Sequence, residues 1–314
     1  MGRHQYIRSK DVERRASFLK HVLWSLETIA WDLLYWWPMK LLPPARASTV
    51  GGRLARKIGP LLKQHQTALE NIGRAYPDLV QKEREAMALS AWESVGRLAG
   101  ELPHLPNLTP YADGSPVTVI GAELLDTVEA SEKGAVFVSG HFANWEIMAA
   151  AICCRPVDCL VTYRAINNPH IDRRLNRIRH AYGIDVLTPK GLGTRHLMEA
   201  LEAGRSIAIL NDQKFREGIP VPFFGHNAMT APGAARLAKR YDVPIIFLST
   251  KRTAPARFEV AVSPLIEGYT NACPPGDVET LTALITRRIE AEVRANPEQW
   301  FWMHKRWPKA SRKP

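Results

Sequence analysis

From about residue 117 onward, short apolar runs rich in β-branched residues alternate with longer segments of helical periodicity. The predicted strands are 117–120, 135–139, 158–163, 184–187, 206–210, 243–250 and 257–262. Strands this apolar are typically buried on both faces, and their alternation with helices is typical of parallel strands joined by helical crossovers. The sequence therefore predicts an α/β fold, with a mostly parallel central sheet flanked by helices.

The first 110 residues have a different pattern, because apolar residues recur there at three- and four-residue spacing. Two helices are predicted at 54–74 and 82–102, followed by a Pro-rich connector at 103–116. We expect a basic, Trp-rich segment at 1–45 and one domain at 46–314. That domain would consist of a helical lead-in at 46–110 and an α/β core at 111–314.

Residues 17–42 are strongly apolar, but charged residues at 20, 27, 32 and 40 interrupt them, which disfavours a clean membrane-spanning helix. The segment is rich in aromatic residues that resemble an interfacial belt: Trp24, Trp31, Tyr35, Trp36 and Trp37. Basic residues precede it at positions 3, 8, 10, 14 and 15. We expect a helix lying in the surface of a bilayer; a single tilted span and a helix packed on the protein's own core are the alternatives.

The chain carries 42 Lys and Arg against 31 Asp and Glu, a formal net charge of +11, within an otherwise ordinary globular composition. This excess predicts an acidic partner, for which nucleic acid, anionic lipid and an acidic carrier protein all qualify. A basic cluster at 173–180 is either a docking surface or a solvated helix face. The four cysteines lack metal-ligand spacing and are expected to be reduced thiols.

The stretch 135–146 combines a buried strand, a Ser-Gly turn, His141 and the start of a helix near Asn144. Active sites of open α/β sheets lie at the carboxyl ends of strands, where this turn falls. Glu146 could contact His141 if the histidine precedes the helix and the glutamate lies in its first turn. A carboxylate on one imidazole nitrogen leaves the other as a general base. The alternative is a buried histidine with a glutamate that stabilises the helix dipole.

Residues 139–146, Ser-Gly-His-Phe-Ala-Asn-Trp-Glu, resemble the signature of the bacterial late lipid A acyltransferases, within the lysophospholipid acyltransferase superfamily. The resemblance continues in the family's order from about residue 101 to residue 307. Its further motifs are Val-Thr-Tyr-Arg at 161–164, Asn-Asn-Pro at 167–169, Leu-Asn-Asp-Gln at 210–213, Val-Pro-Phe-Phe-Gly at 221–225, Thr-Ala-Pro at 230–232 and Pro-Glu-Gln-Trp-Phe-Trp-Met-His at 297–304.

The resemblance implies a glycerolipid acyltransferase-like fold in which 46–314 is the acyltransferase domain. It makes His141 the general base and Glu146 its orienting partner. Arg164 would bind an anionic group of the acceptor, and Asp212 would hold Arg164 or the acceptor sugar. Further substrate-binding residues would be Asn144, Phe223, Phe224, Gly225 and Thr230, although core packing explains the two phenylalanines equally well.

The implied reaction moves a fatty acyl chain from acyl carrier protein to the hydroxyl of a 3-hydroxyacyl chain on a lipid A precursor. It needs no covalent acyl-enzyme, cofactor or metal, and it takes place at the cytoplasmic face of the cell inner membrane. Two alternatives remain open: a related membrane acyltransferase acting on a glycerophospholipid or another glycolipid, and a basic nucleic-acid-binding protein.

Overall fold

A seven-stranded sheet forms the centre of the computed structural model, which describes residues 17–184, 187–189 and 193–308. Its strands are β1 (Val117–Ile120), β2 (Val136–Ser139), β3 (Cys159–Tyr163), β4 (Leu187–Pro189), β5 (Ser206–Leu210), β8 (Ile245–Ala254) and β9 (Arg257–Pro264). Their order is β1-β9-β8-β2-β5-β3-β4, and every pair is parallel except β8 with β9. The prediction of a mostly parallel sheet is confirmed.

Strands β6 (Ile219–Phe223) and β7 (His226–Thr230) form a separate antiparallel hairpin that the sequence pattern did not predict. Pro220 and Pro222 lie inside β6, and proline is ordinarily evidence against a strand because it cannot donate to a ladder. A two-stranded hairpin has only one partner for each strand, so it tolerates them. The predicted strand 184–187 overlaps β4 at Leu187, whereas Ile184 is not in a strand and residues 185–186 lie outside the described residues.

Within the part of the chain that the structure describes, five helices precede the sheet: α1 (Phe18–Trp31), α2 (Trp37–Leu41), α3 (Pro44–Ile58), α4 (Lys63–Ala75) and α5 (Gln81–Glu101). A π-helical turn at Asp32–Trp36 joins the first two, and 3-10 turns occupy Gly59–Leu61 and Leu102–Asn107. The helix predicted at 54–74 is therefore two helices, broken at Gly59 and Pro60. A Cβ atom on Gly59 would lie 2.3 Å from a ring carbon of Trp92, so this break packs directly on α5.

The remaining helices are α6 (Glu123–Ala130), α7 (Glu146–Cys153), α8 (Pro169–Ala181), α9 (Gly193–Glu202), α10 (Gly233–Tyr241) and α11 (Val278–Ala295), followed by a 3-10 turn at Pro297–Gln299. They cover both faces of the sheet, as the alternation of side chains along β2 demonstrates. Val136 and Val138 pack in a core with residues of α9, α10 and α11, whereas Phe137 packs in a second core with residues of α6 and α7.

Helix α3 lies in close contact with α5, because small residues face each other where the two helices meet. A Cβ atom on Gly51 would lie 2.3 Å from the carbonyl oxygen of Gly96, and one on Gly100 would lie 2.1 Å from that of Ala47. Neither position accepts a larger side chain without separating the helices. These contacts hold two helices of the lead-in firmly together.

A buried carboxylate, Glu101, connects this lead-in to the sheet. It accepts two hydrogen bonds of 2.8 Å from the guanidinium of Arg252 in β8, and a third of 2.7 Å from the hydroxyl of Ser48 in α3. The amide of Asn144, in the loop after β2, donates a fourth at 3.0 Å. Four separate segments therefore meet at one fully satisfied buried charge.

The aromatic residues of the N-terminal segment do not form the exposed belt that the sequence suggested. Trp24 and Trp36 are buried, and the Asn168 side-chain amide donates to the Trp24 carbonyl at 2.9 Å. The exposed large apolar residues of this segment are mostly aliphatic: Phe18, Leu19, Val22, Leu23, Leu26, Ile29, Leu33, Leu34, Trp37 and Leu41. Lys20, Glu27 and Lys40 are exposed as well. The basic residues predicted to precede it lie outside the described residues.

Among the helices of the described residues, none is both long and apolar enough to cross a membrane.

Candidate active site

The carboxyl-terminal end of β2 lies beside that of β5, and a residue with a polar side chain follows each strand. Ser139 of β2 pairs with Leu210 of β5 in parallel register. His141 and Asp212 each lie two residues beyond this pair, so the sheet places them together. The local sequence contains both strand ends, but it does not show that β2 and β5 are neighbours.

Asp212 contacts His141 at two points. The Nδ1 atom of the His141 ring lies 2.6 Å from Oδ1 of Asp212, and the His141 backbone N–H donates to Oδ2 at 2.8 Å. The indole N–H of Trp300 also donates to Oδ2, at 2.8 Å. Burial raises the pKa of the Asp212 carboxyl, but the His141 side chain and these hydrogen bonds outweigh burial and lower that pKa to about 2.

This arrangement selects one tautomer of the imidazole. An ionised Asp212 can only accept, so His141 carries a proton on Nδ1 and leaves Nε2 as an acceptor. The side-chain nitrogen of Gln213 lies 3.3 Å from Nε2, as expected for an amide N–H that donates to it. The side chain of His141 is 17% exposed, so Nε2 belongs to a group that a substrate can reach.

Gly140 permits the close approach of these groups. A Cβ atom at this position would lie 2.8 Å from the Phe142 ring and 3.3 Å from Oδ2 of Asp212. A larger residue would have to displace the Phe142 ring and would crowd the carboxylate. This lack of space explains why the residue after Ser139 in the turn is a glycine.

A cavity of about 590 Å³ opens beside His141. Its charged, imidazole and amide side chains are His141, Glu146, Arg164, Arg179, Gln213 and His304. The remaining wall is mostly apolar and includes Phe137, Met148, Ile152, Val161, Leu197 and Leu248. A cavity with a few polar groups at a mostly apolar wall suits a ligand with a long hydrocarbon part.

Glu146 lines the same cavity, but its carboxylate binds Arg179 rather than His141. The Nε and Nη2 atoms of Arg179 donate to the two oxygens of Glu146 at 2.8 and 2.6 Å, and Nη1 donates to Asn176 at 3.1 Å. Burial lowers the pKa of Arg179, but the Glu146 charge and hydrogen bonds outweigh burial and raise that pKa. The predicted His141–Glu146 hydrogen bond is replaced by this two-point ion pair, because a guanidinium fork matches a carboxylate in geometry and charge.

Arg164, just after β3, is exposed and lines the cavity, in keeping with the expected contact to an anionic group. Asp212 does not hold it, since the Asp212 oxygens bind His141 and Trp300. The basic cluster at 173–180 is not one uniform surface. Arg174 pairs with Asp32, and Arg179 belongs to the cavity wall.

Asn144 was expected to bind substrate, but the structure places it behind the cavity. Its side chain is fully buried, and its amide donates to Glu101. Ala143 beside it has a φ of 42°, and its backbone N–H donates to the Gln299 carbonyl at 2.7 Å. Asn144 therefore supports the strained loop that carries His141.

The other predicted cleft residues lie in the hairpin β6–β7, outside the cavity wall. Phe223 and Phe224 are buried and pack among Tyr76, Trp300, Trp302 and Trp307. Gly225, with a φ of 72°, follows Phe224 in the tight turn. The Thr230 hydroxyl, also buried, accepts a hydrogen bond of 2.7 Å from Arg306. Core packing, the alternative noted for the phenylalanines, describes Phe223, Phe224 and Thr230, whereas Gly225 is an exposed turn residue.

The motif at 297–304 supports the site from the far end of the chain. Phe142 and Trp300 form an antiparallel bridge, and the Phe301 backbone N–H donates to the His141 carbonyl at 3.2 Å. The sequence pattern assigned no role to Gln213, to Trp300 or to the pairing of Arg179 with Glu146. Each depends on contacts between distant segments, which local periodicity does not encode.

Among the described residues, no group of three His, Cys, Asp or Glu side chains could hold a metal ion.

Comparisons with known proteins show which family the sequence is similar to. Residues 15–309 match the sequence profile described as bacterial lipid A biosynthesis acyltransferase. The lipid A biosynthesis palmitoleoyltransferase of Escherichia coli is 25% identical over 281 residues, which are 86% of this chain and 88% of that protein. The lipid A biosynthesis acyltransferase of Shigella flexneri is similar to the same extent. The lipid A biosynthesis lauroyltransferase of Escherichia coli is 24% identical over 291 residues, which are 91% of this chain and 89% of that protein.

Proposed function

The chain belongs to the bacterial lipid A biosynthesis acyltransferases, and we propose that it moves a fatty acyl chain from acyl carrier protein to a hydroxyl of a lipid A precursor. The hydroxyl is that of a 3-hydroxyacyl chain already on the precursor. The single observation that carries the chemistry is the His141–Asp212 pair beside the mostly apolar cavity.

The reaction proceeds by general-base catalysis. Nε2 of His141 removes the proton of the acceptor hydroxyl while its oxygen attacks the thioester carbonyl carbon. Ionised Asp212 stabilises the imidazolium that forms. The tetrahedral intermediate then breaks its C–S bond, and the departing thiolate takes the proton from the imidazolium. The products are the new ester and the free thiol of the carrier, with no covalent acyl-enzyme.

Asp212, rather than Glu146, is the orienting acid in this mechanism. Glu146 instead holds the guanidinium of Arg179 at the cavity wall through two hydrogen bonds. We place Glu146 as a positioning residue that acts through Arg179. Both members of the pair line the cavity, so their loss would change the site without removing the base.

The rest of the cavity fits the two substrates. Its apolar wall suits the hydrocarbon chain that is transferred, since burial of methylene groups is favourable. Arg164 at the exposed side suits an anionic group of the acceptor, because a guanidinium binds phosphate through two parallel hydrogen bonds. The net charge of +11 also suits an acidic carrier protein and an acidic lipid surface.

Helix α1 and the π-helical turn after it support attachment to the cytoplasmic face of the inner membrane. Phe18 and Leu23 of α1, and Leu33 and Leu34 of the turn, are between 55% and 84% exposed, although they are large and apolar. An amphipathic helix of this kind lies in the bilayer surface with its apolar side buried. The aliphatic side, rather than the tryptophans, would provide this contact.

Purified full-length protein tests the proposal when it is incubated in detergent with a lipid A precursor and an acyl carrier protein thioester. We expect mass spectrometry to find one added acyl chain in ester linkage, and His141→Ala to abolish the product. Acyl-coenzyme A and a glycerophospholipid acceptor serve as comparison substrates. Equal transfer to the glycerophospholipid would contradict the proposed acceptor, and a preference for acyl-coenzyme A would contradict the proposed donor.

A further inference from the structure

A second exposed apolar surface lies on α3 and the 3-10 turn after it. It consists of Leu54, Ile58, Leu61 and Leu62, which are 46%, 51%, 83% and 44% exposed. The first three are four and three residues apart, a spacing that places them along one side of the helix. We call these four residues the Leu54 stripe.

The packing of α3 on α5 keeps the stripe exposed. The opposite side of α3 is fixed against α5 by the close contacts of Gly51 and Gly96, and by the hydrogen bond from Ser48 to buried Glu101. Helix α3 therefore cannot rotate to bury the stripe without breaking these contacts. Its exposure is a property of the folded protein.

The charged residues of the chain segment that carries the stripe are all basic, and one of them, Arg56, pairs with Glu93 of α5 at 3.5 Å. No Asp or Glu occurs from residue 43 to residue 69, whereas exposed basic residues lie beside the stripe at Arg46, Arg53, Lys57 and Lys63. Large apolar side chains flanked by lysine and arginine suit an anionic lipid surface, because the apolar groups enter the headgroup region while the cations contact acidic headgroups.

The stripe also follows the exposed apolar side of α1 and α2 closely in the chain. Leu41, the last residue of α2, is 80% exposed, and α3 begins at Pro44. A second copy of the chain fits the stripe less well, since a symmetric contact would bring the same basic residues against each other.

We propose that the Leu54 stripe is a second membrane contact, which inserts into an anionic lipid surface together with the apolar side of α1. This inference rests on the membrane attachment proposed above and adds a site to it. Two separate contacts would fix the orientation of the protein on the bilayer, whereas α1 alone would leave it free to tilt.

Vesicle binding by the full-length protein tests the proposal. The probes are phosphatidylcholine vesicles with and without phosphatidylglycerol. One variant combines Leu54→Ser, Ile58→Ser and Leu61→Ser, and a second combines Arg53→Glu and Lys57→Glu. Matched controls are Val80→Ser, whose residue is 62% exposed, and Lys133→Glu with Arg240→Glu, both exposed at the amino-terminal edge of the sheet.

We expect both stripe variants to weaken partitioning onto the anionic vesicles by about tenfold or more, because each apolar side chain and each cation contributes to binding. The controls should remain close to wild type. Acyl transfer between detergent-dispersed substrates should be unchanged in every variant. Because the changed side chains are exposed, thermal unfolding should also be unchanged. If the serine variant does not fold, the charge variant still decides the result.

Three results would overturn the proposal, and they are distinguishable. Wild-type binding by both stripe variants, with loss of binding in Leu33→Ser/Leu34→Ser, would leave α1 and the π-helical turn after it as the membrane contact and remove α3. Absence of vesicle binding by the wild type would remove both contacts, while acyl transfer in detergent would stand. A change in sedimentation without a change in vesicle binding would identify the stripe as an interface between copies.

Discussion

Asp212 holds His141 by its ring and by its backbone at once, with Oδ1 2.6 Å from the ring Nδ1 and Oδ2 2.8 Å from the backbone nitrogen. The carboxylate therefore sets both the direction of the imidazole and the course of the loop that carries it. Because Trp300 binds Oδ2 as well, the carboxylate itself is fixed from a third side.

Loss of either member of this pair should remove most of the turnover. We expect His141→Ala to lower kcat by on the order of 10²–10⁴, the usual contribution of a positioned general base. Asp212→Asn should lower it by a similar factor, because an amide no longer stabilises the imidazolium. Steady-state transfer assays in detergent measure both. Asp212→Asn with wild-type kcat would contradict the assignment of the orienting acid, and thermal unfolding checks that each variant is folded.

The pairing of Glu146 with Arg179 predicts non-additive effects. We expect Glu146→Gln, Arg179→Met and the double variant each to lower kcat/KM by about the same factor, roughly ten- to hundredfold, because all three disturb one positioned unit. If Glu146 instead acted directly on His141, Arg179→Met would retain high turnover while Glu146→Gln would not. Comparing the three variants under the same assay conditions separates the two roles.

Acid stability should report the ionisation of Asp212. Its pKa is about 2 in the folded protein, below the ordinary value of 3.8. A group with a lowered folded pKa stabilises the fold above its unfolded pKa, and this contribution is lost as the pH falls through the folded pKa. The free energy of unfolding of the wild type should therefore fall between those two pKa values by more than that of Asp212→Asn, by on the order of 2 kcal/mol. Denaturant titrations across this pH range measure the difference, and parallel curves would contradict it.

Glu101→Leu should destabilise the protein severely. It leaves the guanidinium of Arg252, whose side chain is 5% exposed, without its carboxylate, and breaking a buried pair in this way costs about 3–5 kcal/mol. Adding Arg252→Met should recover much of the loss, because the unpaired charge is then gone. Glu93→Gln is the control, since Glu93 lies on the same helix and its side chain is 29% exposed. Equal stability of Glu101→Leu and the control would contradict the prediction.

Substitutions at Thr230 distinguish a structural role of this residue from a role in substrate binding. Thr230→Val removes the hydroxyl that accepts from Arg306 and should lower the free energy of unfolding by about 1–3 kcal/mol. Thr230→Ser keeps the hydroxyl and should retain more of the stability. Because Thr230 is not part of the cavity wall, kcat/KM of both folded variants should stay near wild type. A large rise in KM for Thr230→Val with unchanged stability would restore the substrate-binding role.

The sequence pattern predicted the strand ends that carry His141 and Asp212, because buried strands and the turns after them are local features. It did not bring the two residues together, since β5 pairs with β2 while β3 and β4 come between them in the chain. The five-residue spacing of His141 and Glu146 suggested a contact that Arg179, 33 residues further on, takes instead. Apolar motif residues such as Phe223 were equally ambiguous, because core and cleft both favour them.

The position of Glu101 also limits how the protein can be shortened. A gene fragment that starts at residue 111 would encode the whole sheet, yet it would lack the carboxylate that neutralises Arg252 and anchors Asn144. We expect such a fragment to be insoluble or unfolded when expressed alone. The division near residue 110 is thus a change of pattern along the polypeptide and does not mark a separable catalytic half.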